Sequence, residues 1–156
     1  MTDPRQLPHG HELQAQRILS SFRRIVGREL IDSTGSITDD AKRLFTSPFV
    51  VVSAGAEPDP ILNYGNATAL HLWEMSWDQL TQTPGRHTAE PMHRHERERF
   101  LAAVHSQGYI EDYSGIRISS TGKRFEIHKA IVWNLADENG EPRGQAATFR
   151  HWTFLD

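Results

Sequence analysis

The last third of the sequence constrains the fold most, because it predicts three consecutive β-strands joined by short turns. The three segments are YIEDYSGIRIS at 109–119, KRFEIHKAIVWNLA at 123–136 and GQAATFRHWTF at 144–154. All three are rich in β-branched and aromatic residues, and STG and DENGE lie between them. Asn139 followed by Gly140 is a strong signal for a tight hairpin turn. Strands joined by such turns pair antiparallel with their neighbours, so this region predicts an antiparallel meander.

The residues before the meander predict helices around a short hairpin. Apolar residues recur at helical spacing from Leu13 to Leu30, which predicts an amphipathic helix, and a short helix with Thr38 as its cap follows. PFVVVS and ILNY, on either side of AGAEPDP, predict two strands joined by a turn. Two further short helices are expected, one capped by Asn66 and one within SWDQL, and then a longer helix that ends at Gly108.

Together these elements predict an α+β fold of the PAS type. Its five antiparallel strands have the helices inserted between the second and third strands, and an N-terminal amphipathic helix precedes them. By analogy with PAS domains, a pocket lies between the sheet and the helices, although the fold alone does not define a function. We divide the sequence into an N-terminal tail with helices at 1–44 and a PAS-like domain at 45–156.

Charge and composition exclude several classes of protein. The net charge is -3 and no basic block occurs, so the chain lacks the electrostatic surface of a nucleic-acid-binding protein. The absence of cysteine excludes disulfides, thiolate metal sites, a cysteine nucleophile and flavin photochemistry through a cysteinyl adduct. The N-terminus lacks the apolar core of a signal peptide, and no segment approaches the ~20 apolar residues that span a bilayer. We therefore expect a cytoplasmic protein that binds neither nucleic acid nor membrane.

Four long blocks of the sequence resemble the MEKHLA domain, a PAS-like module. The blocks are SAGAEPDPILNYGNATALHLWEMSW, AEPMHRHERERF, DYSGIRISSTGKRFEIHKAIVWNL and GQAATF, and the resemblance extends over about 45–152. In plants this domain ends the class III homeodomain leucine-zipper transcription factors, where it is thought to sense a signal that controls dimerisation. Because a homeodomain, a zipper and a START segment do not occur in this sequence, the resemblance implies a sensory or dimer-regulating role without DNA binding. It implies no particular ligand or cofactor.

Aromatic and aliphatic side chains are predicted to surround the pocket. By strict alternation along KRFEIHKAIVWNL, one face of the strand carries Phe125, Ile127, Ile131 and Trp133. The other candidate contacts are Tyr64, Asn66, Leu70, Trp73, Tyr109 and Tyr113. Phenol and indole groups in such a cavity orient a small-molecule ligand, whose identity the sequence does not specify. The alternative is that the same side chains fill the core completely.

The predicted helix at about 92–107 adds polar candidates. Its apolar face carries Phe100, Leu101 and Val104. Helical spacing brings Arg97 and His93 onto the same stripe, near the pocket mouth, where they are candidates for binding an anionic group. Ligation of haem iron by His93 or His95 is one alternative. Another is that HRHERER forms a solvated helix start with local ion pairs.

The sheet face opposite Phe125 also bears on assembly. It is expected to carry Ala130, Val132 and Ala146, an apolar surface that needs cover. The N-terminal helix can cover the sheet of its own chain or the sheet of a partner chain. The second arrangement predicts a homodimer.

These observations favour a PAS-like sensory and protein-interaction module that binds a small molecule or a partner signalling protein and regulates dimerisation. The sequence contains no nucleophile elbow, dinucleotide fingerprint or zinc-protease motif, so no enzymatic activity is predicted. One alternative is a small α+β enzyme whose cavity pairs His87 or His93 with Glu90 or Asp112. The other is a pure dimerisation module without a ligand.

Overall fold

The computed structural model describes residue 8 and residues 10–155. Within this range the helices are α1 (His11–Val26), α2 (Ile37–Phe45), α3 (Ala67–Trp73), α4 (Trp77–Leu80) and α5 (Pro91–Gln107), with a 3₁₀ turn at Gly85–Thr88. The strands are β1 (Val50–Ala54), β2 (Leu62–Gly65), β3 (Tyr109–Ile118), β4 (Arg124–Ala136), β5 (Pro142–Phe149) and β6 (His151–Phe154). None of the helices in the described range has the length and apolar character needed to cross a membrane.

The strands form one antiparallel sheet in the order β2-β1-β5-β4-β3, and β6 pairs with β4. The hairpin of β1 and β2 occupies one edge, and the meander of β3, β4 and β5 joins it because β5 pairs with β1. Helices α3, α4 and α5 are inserted between β2 and β3, and α1 precedes the sheet. The predicted α+β arrangement is therefore confirmed.

Strands β5 and β6 both pair with β4, one after the other, and the register of the pairing is the same for both. Ile131 pairs with Thr148 on one side of the break, and His128 pairs with His151 on the other. The interruption falls at Arg150. The five predicted strands are thus present, and the last one is broken into two segments.

Lys129 reverses the side-chain alternation of β4. Its φ of 53° lies in the left-handed region. Such a residue acts as an extra residue in the strand and interrupts the regular alternation of side chains between the two faces. Phe125 and Ile127, before it, pack with α3 on what we call the inner face of the sheet. Ile131 and Trp133, after it, pack with α1 on the opposite, outer face. The prediction that these four residues share one face is wrong, because strict alternation ends at Lys129.

Helix α1 covers the outer face of its own sheet. Ile18 and Phe22 are buried there, and the ring of Phe22 meets the ring of Trp133 edge-on with centroids 4.8 Å apart. Burial of two such side chains contributes roughly 3 to 6 kcal/mol to stability. Of the two arrangements considered for the N-terminal helix, the structure has the one within a single chain.

The composition of the outer face differs from the sequence prediction. Ala146 lies there, as expected. Ala130, in contrast, packs with Phe125 on the inner face, and Val132 follows it in the alternation of β4. The reversal at Lys129 is again the cause.

The side chain of Asn66 joins α2, β1 and α3. Its Oδ1 accepts hydrogen bonds from the backbone N–H groups of Val51 and Ala69, both at 3.1 Å. Its Nδ2 donates to the backbone carbonyls of Leu44 at 3.1 Å and Phe49 at 2.8 Å. The predicted helix cap is confirmed. The amide is fully buried and uses its two donors and two acceptor positions within the protein.

Two other helix ends follow the sequence signals, and the start of α2 differs from them. Ser36 caps α2 and accepts the backbone N–H three residues later at 3.3 Å, so the helix starts before the predicted cap at Thr38. Ser76 caps α4 in the same way at 3.1 Å, as predicted. Gly108 follows α5 with a φ of 94°, a conformation that favours glycine.

The end of α3 is tied to the turn between β3 and β4. The carboxylate of Glu74 accepts hydrogen bonds from the hydroxyls of Thr121 and Ser119 and pairs with Lys123 at 3.4 Å. These partners, Thr121 foremost, lower the pKa of Glu74 below its ordinary value. The contact fixes the helix that carries Trp73 against the sheet.

Candidate ligand-binding cavity

The structure separates the predicted pocket residues into two groups on opposite faces of the sheet. The inner face carries Tyr113, Phe125 and Ile127, and Trp73 of α3 packs against it. The outer face holds Tyr64 and Trp133, against which pack Leu70, Tyr109 and Ile131. A single cavity surrounded by both groups is therefore not formed, because the sheet itself lies between them.

Aromatic rings pack closely between the helices and the inner face. The ring of Trp73 lies edge-on to Phe125 and Phe149, with centroids 5.3 and 6.1 Å apart. Trp73 is 4% exposed. Tyr113 stacks on Phe100 of α5 with the centroids 3.7 Å apart. At this end of the sheet the contacts favour the filled-core alternative.

Three of the tyrosine and tryptophan residues predicted to surround the pocket contain buried polar atoms without a hydrogen bond to any part of the described chain. They are the Oη of Tyr64 and the Nε1 atoms of Trp73 and Trp133. Burial raises the pKa of Tyr64, so its phenol stays protonated. The ring of Tyr64 lies edge-on to Trp77 at 5.6 Å. These residues serve the core through their rings.

A cavity of about 630 Å³ lies at the other end of the inner face, and we call it the α5 cavity. Its walls are the turn 55–60 between β1 and β2, the sheet-facing side of α5, and the hairpin of β4 and β5. Leu101 and Ala102 of α5 supply apolar surface, and Asn134 and Gln145 supply amide groups from the strands. The volume lies within the range of small-molecule sites.

Two strand amides hold α5 over this cavity. Asn134 Nδ2 donates to the carbonyls of Val104 at 3.2 Å and His105 at 3.1 Å. Gln145 Nε2 donates to the carbonyl of Leu101 at 3.0 Å and to Asn134 Oδ1 at 3.1 Å. The carbonyl of Val104 also accepts the N–H of Gly108 at 2.8 Å, whereas that of His105 lies in the last turn, where helix carbonyls lack partners within the helix. A displacement of α5 would therefore act directly on β4 and β5.

Arg97 is the predicted site residue that lines the α5 cavity. Its side chain is half-buried, and neither a hydrogen bond nor an ion pair joins its guanidinium to another group of the described chain. Burial, together with the positive charge of Arg117, lowers the pKa of Arg97 to about 10, so the side chain remains charged at neutral pH. Its Nη2 approaches Gly85 closely: a Cβ at that position would lie 2.8 Å away.

The other charged groups at the cavity differ from Arg97. Arg86 is bound by both carboxylate oxygens of Asp59, at 3.0 and 3.2 Å. The carboxylate of Glu57 accepts a backbone N–H at 2.6 Å. Glu98 attracts Arg97 through its charge without a hydrogen bond. Arg97 therefore presents the cavity with donors that are not used elsewhere in the described residues.

The residues of the enzyme alternative do not form a histidine-carboxylate pair in the part of the chain that the structure describes. His87 accepts a hydrogen bond from the neighbouring arginine at 2.7 Å, and Glu90 accepts one from Arg124 at 2.7 Å. The Nε2 of His93 is buried without a hydrogen bond, and Asp112 is exposed in β3 with a φ of 60°. None of these four predicted residues lines the α5 cavity.

Sequence reasoning missed most of the cavity wall. Asn134 and Gln145 occupy inward positions of apolar strands, and polar residues at such positions are a usable signal. Strict alternation of side chains through Lys129 assigns Asn134 to the opposite face of β4, so this signal does not point to the cavity. The turn 55–60 lines the cavity because it lies near α5 in the folded chain. No local sequence pattern predicts that contact.

The chain matches the family model described as the MEKHLA domain over residues 12–154. It is also 24% identical over 147 residues to the homeobox-leucine zipper protein REVOLUTA of Arabidopsis thaliana, a match that covers 90% of this chain and 18% of the relative. The chain spans less than a fifth of the length of the curated relatives it matches.

Two of the solved structures that resemble the fold illustrate its class. The PAS domain of a protein from Colwellia psychrerythraea is 16% identical, has a TM-score of 0.63, and is matched over 76% of this chain and 96% of its own. A fungal LOV domain photoreceptor is 16% identical, has a TM-score of 0.56, and is matched over 88% of this chain and 91% of its own. Likeness at such low identity concerns the fold, and it confirms the PAS-like architecture.

Proposed function

Since this chain belongs to the MEKHLA domain family and is a PAS-like sensory module, we propose that it senses a small molecule held in the α5 cavity and reports binding to another protein chain. The observation that carries this proposal is the α5 cavity, which offers about 630 Å³ beside the tightly packed aromatic core. Concave sites of this size with a few polar groups are typical of ligand binding.

The connection of α5 to the sheet supports a reporting role. A ligand that contacts Leu101 or Ala102 would shift α5, and the amides of Asn134 and Gln145 would pass that shift to β4 and β5. A ligand shifts a conformational equilibrium only by its difference in affinity between the two states. In this proposal the ligand-free and ligand-bound states differ in the position of α5.

We further propose that the output is self-association or binding to a partner signalling protein. Apolar side chains available for such contacts are Met92 at the start of α5, which is 73% exposed, and Phe154 in β6, which is 57% exposed. A cytoplasmic location, which the sequence led us to expect, accompanies this proposal. Cell fractionation would test it.

Native mass spectrometry of freshly purified protein tests the proposed function. We expect an extra non-covalent mass on the wild-type chain, and a change in the ratio of monomer to dimer when that mass is lost. Ala102→Phe places a ring in the cavity and should abolish the extra mass. Ser106→Phe is the matched control, because Ser106 is exposed on the same helix but does not line the cavity. Retention of the mass by Ala102→Phe would contradict the assignment.

The same spectra separate the two alternatives. A clean apo mass with concentration-dependent dimers would favour the pure dimerisation module. For the enzyme alternative, NMR titration of the histidines is the direct measurement, because an acid-base pair in a closed cavity gives a perturbed titration. Unperturbed values for His87 and His93 would count against that alternative.

A further inference from the structure

We propose that the α5 cavity takes a small monocarboxylate with an apolar body, and that Arg97 binds its carboxylate group. This inference rests on the proposed function, because it names the ligand class of the same cavity. Four observations carry it: the half-buried guanidinium without a partner in the described chain, a buried arginine nearby, the mixed lining of the cavity, and the approach of Arg97 to Gly85.

Arg97 has the chemistry of an unfilled carboxylate site. A guanidinium presents five N–H donors in a planar fork that matches a carboxylate with two parallel hydrogen bonds. A charged side chain removed from water normally has a partner, because its desolvation is costly. Arg97 is half-buried and partly desolvated, has no hydrogen bond to another described group, and borders a cavity. A carboxylate in that cavity would supply the missing partner.

A buried cation nearby strengthens the case for an anion. Arg117 is 7% exposed and repels Arg97. Its Nη2 donates to the Oη of Tyr113 at 3.1 Å, and its Nη1 donates to the carbonyl of Ile116 at 2.8 Å. Neither guanidinium is bound by a carboxylate of the described residues. A negative charge at Arg97 would therefore relieve both the desolvation and the repulsion.

The lining of the cavity favours one negative charge over two. Glu57, Asp59 and Glu98 lie at the same cavity, and only Asp59 is bound by an arginine. The remaining carboxylates would repel a phosphate dianion more strongly than a monoanion. Leu101 and Ala102 offer apolar surface to the rest of the molecule. These features together select a monoanion with an apolar body.

Gly85 leaves the space that the guanidinium occupies. A Cβ at position 85 would come within 2.8 Å of Arg97 Nη2, so any larger residue would push the end of this side chain aside. Gly85→Ala therefore moves the guanidinium without removing its charge. We expect weaker carboxylate binding in this variant, because bidentate hydrogen bonds depend on the angle of the fork.

NMR titration of the ¹⁵N-labelled full chain tests the inference. The probes are hexanoate and benzoate, their uncharged analogues hexanamide and benzamide, and inorganic phosphate. We expect both carboxylates to shift the amide signals of α5 and of the turn 55–60, with dissociation constants at least about tenfold lower than those of the amides and of phosphate. Arg97→Met should remove this preference. Arg99→Met, an exposed change on the same helix, should keep it.

Thermal denaturation supplies a readout that separates a binding arginine from a structural one. Replacing a partly desolvated charge that lacks a partner with an apolar residue removes a desolvation cost. Ligand-free Arg97→Met should therefore melt at the same temperature as the wild type or higher, and hexanoate should raise the melting temperature of the wild type alone. A structural arginine would show the opposite result, a large loss of stability in Arg97→Met.

The outcomes distinguish the two proposals. If carboxylates and amides bind equally well, and Ala102→Phe abolishes both, the cavity is a ligand site but the carboxylate inference is wrong. Preferential binding of phosphate would also overturn the inference, in favour of a different anion. If no probe binds and the purified chain has a clean apo mass, both this inference and the proposed function fail. Binding of carboxylates that Arg97→Met leaves unchanged would place them elsewhere and refute the role of Arg97.

Discussion

Replacement of Asn66 tests whether one buried amide holds three elements of this fold together. Asn66→Ala removes hydrogen bonds to the N–H groups of Val51 and Ala69 and to the carbonyls of Leu44 and Phe49. All of these groups are buried near the junction of α2, β1 and α3, where water has little access. The substitution therefore removes a partner from four buried backbone groups, of which the Leu44 carbonyl keeps only a long hydrogen bond from the N–H of Ser47 at 3.4 Å.

The expected cost can be derived from those four bonds. A net contribution of about 1 kcal/mol for each hydrogen bond gives a loss of about 4 kcal/mol in the free energy of unfolding. Total stabilities of domains are about 5 to 15 kcal/mol, so the variant should fold but with a much lower urea midpoint. Urea denaturation followed by tryptophan fluorescence at pH 7 measures this difference.

Asn66→Asp serves as a more specific variant. The carboxylate keeps both acceptor bonds but faces the carbonyls of Leu44 and Phe49 without a proton to donate. Burial and these carbonyls raise the pKa of the introduced acid above its unfolded value of about 3.9. The protonated form is then favoured on folding, so the stability deficit should be small near pH 4 and grow as the pH rises through the folded pKa.

Two results would refute this reasoning. One is a loss below about 1 kcal/mol in Asn66→Ala, which would mean that water or relaxed neighbours replace the bonds. The other is a deficit in Asn66→Asp that does not change between pH 4 and pH 7, measured against the wild type at each pH. Either result would show that the amide is not the joint between the three elements.

The remaining predictions concern three other positions. Trp73→Ala should lower the free energy of unfolding by about 3 to 5 kcal/mol, because it opens a cavity in the inner core, and an unchanged urea midpoint would contradict its burial. Lys129→Gly should be tolerated or slightly stabilising while Lys129→Val is destabilising, since glycine accepts a positive φ; equal thermal midpoints would argue against the strand reversal. Because the pKa of Glu74 is lowered in the folded protein, its carboxylate contributes fully to stability above the ordinary carboxylate pKa. That stability is lost as the pH falls from there through the lowered pKa. The difference in melting temperature between the wild type and Glu74→Gln should therefore shrink on acidification, and a constant difference would contradict the role of that carboxylate.

Much of the architecture could be predicted from local signals in the sequence. The order of helices and strands follows from hydrophobic periodicity, and the caps at Asn66 and Ser76 follow from side chains that accept backbone N–H groups. Arg97 was found because its spacing from Leu101 places both on one stripe of α5. The division of the chain at residues 44 and 45 stays a prediction, and the family match begins earlier, at residue 12.

The parts that failed depend on features without a local signature. Lysine is not a residue type that favours positive φ, so the reversal at Lys129 could not be read from the sequence. Once that phase was wrong, Trp133 was assigned to the inner face and Ala130 to the outer face. The pocket was predicted in the wrong place for the same reason. With the wrong phase of β4, Asn134 is not expected to face α5.

The break in the last strand has a consequence for how this family can evolve. Lys129 and the interruption at Arg150 lie opposite each other, and the register of β4 is the same on both sides of them. A deletion of Lys129 alone would keep the side chains of β4 on their faces but shift the pairing of β4 with β5 or with β6 by one residue, so that inner-face side chains would lie opposite outer-face ones. A simultaneous deletion of Arg150 would restore the pairing. Insertions and deletions at these two positions should therefore be inherited together, as a paired gap in an alignment of family members.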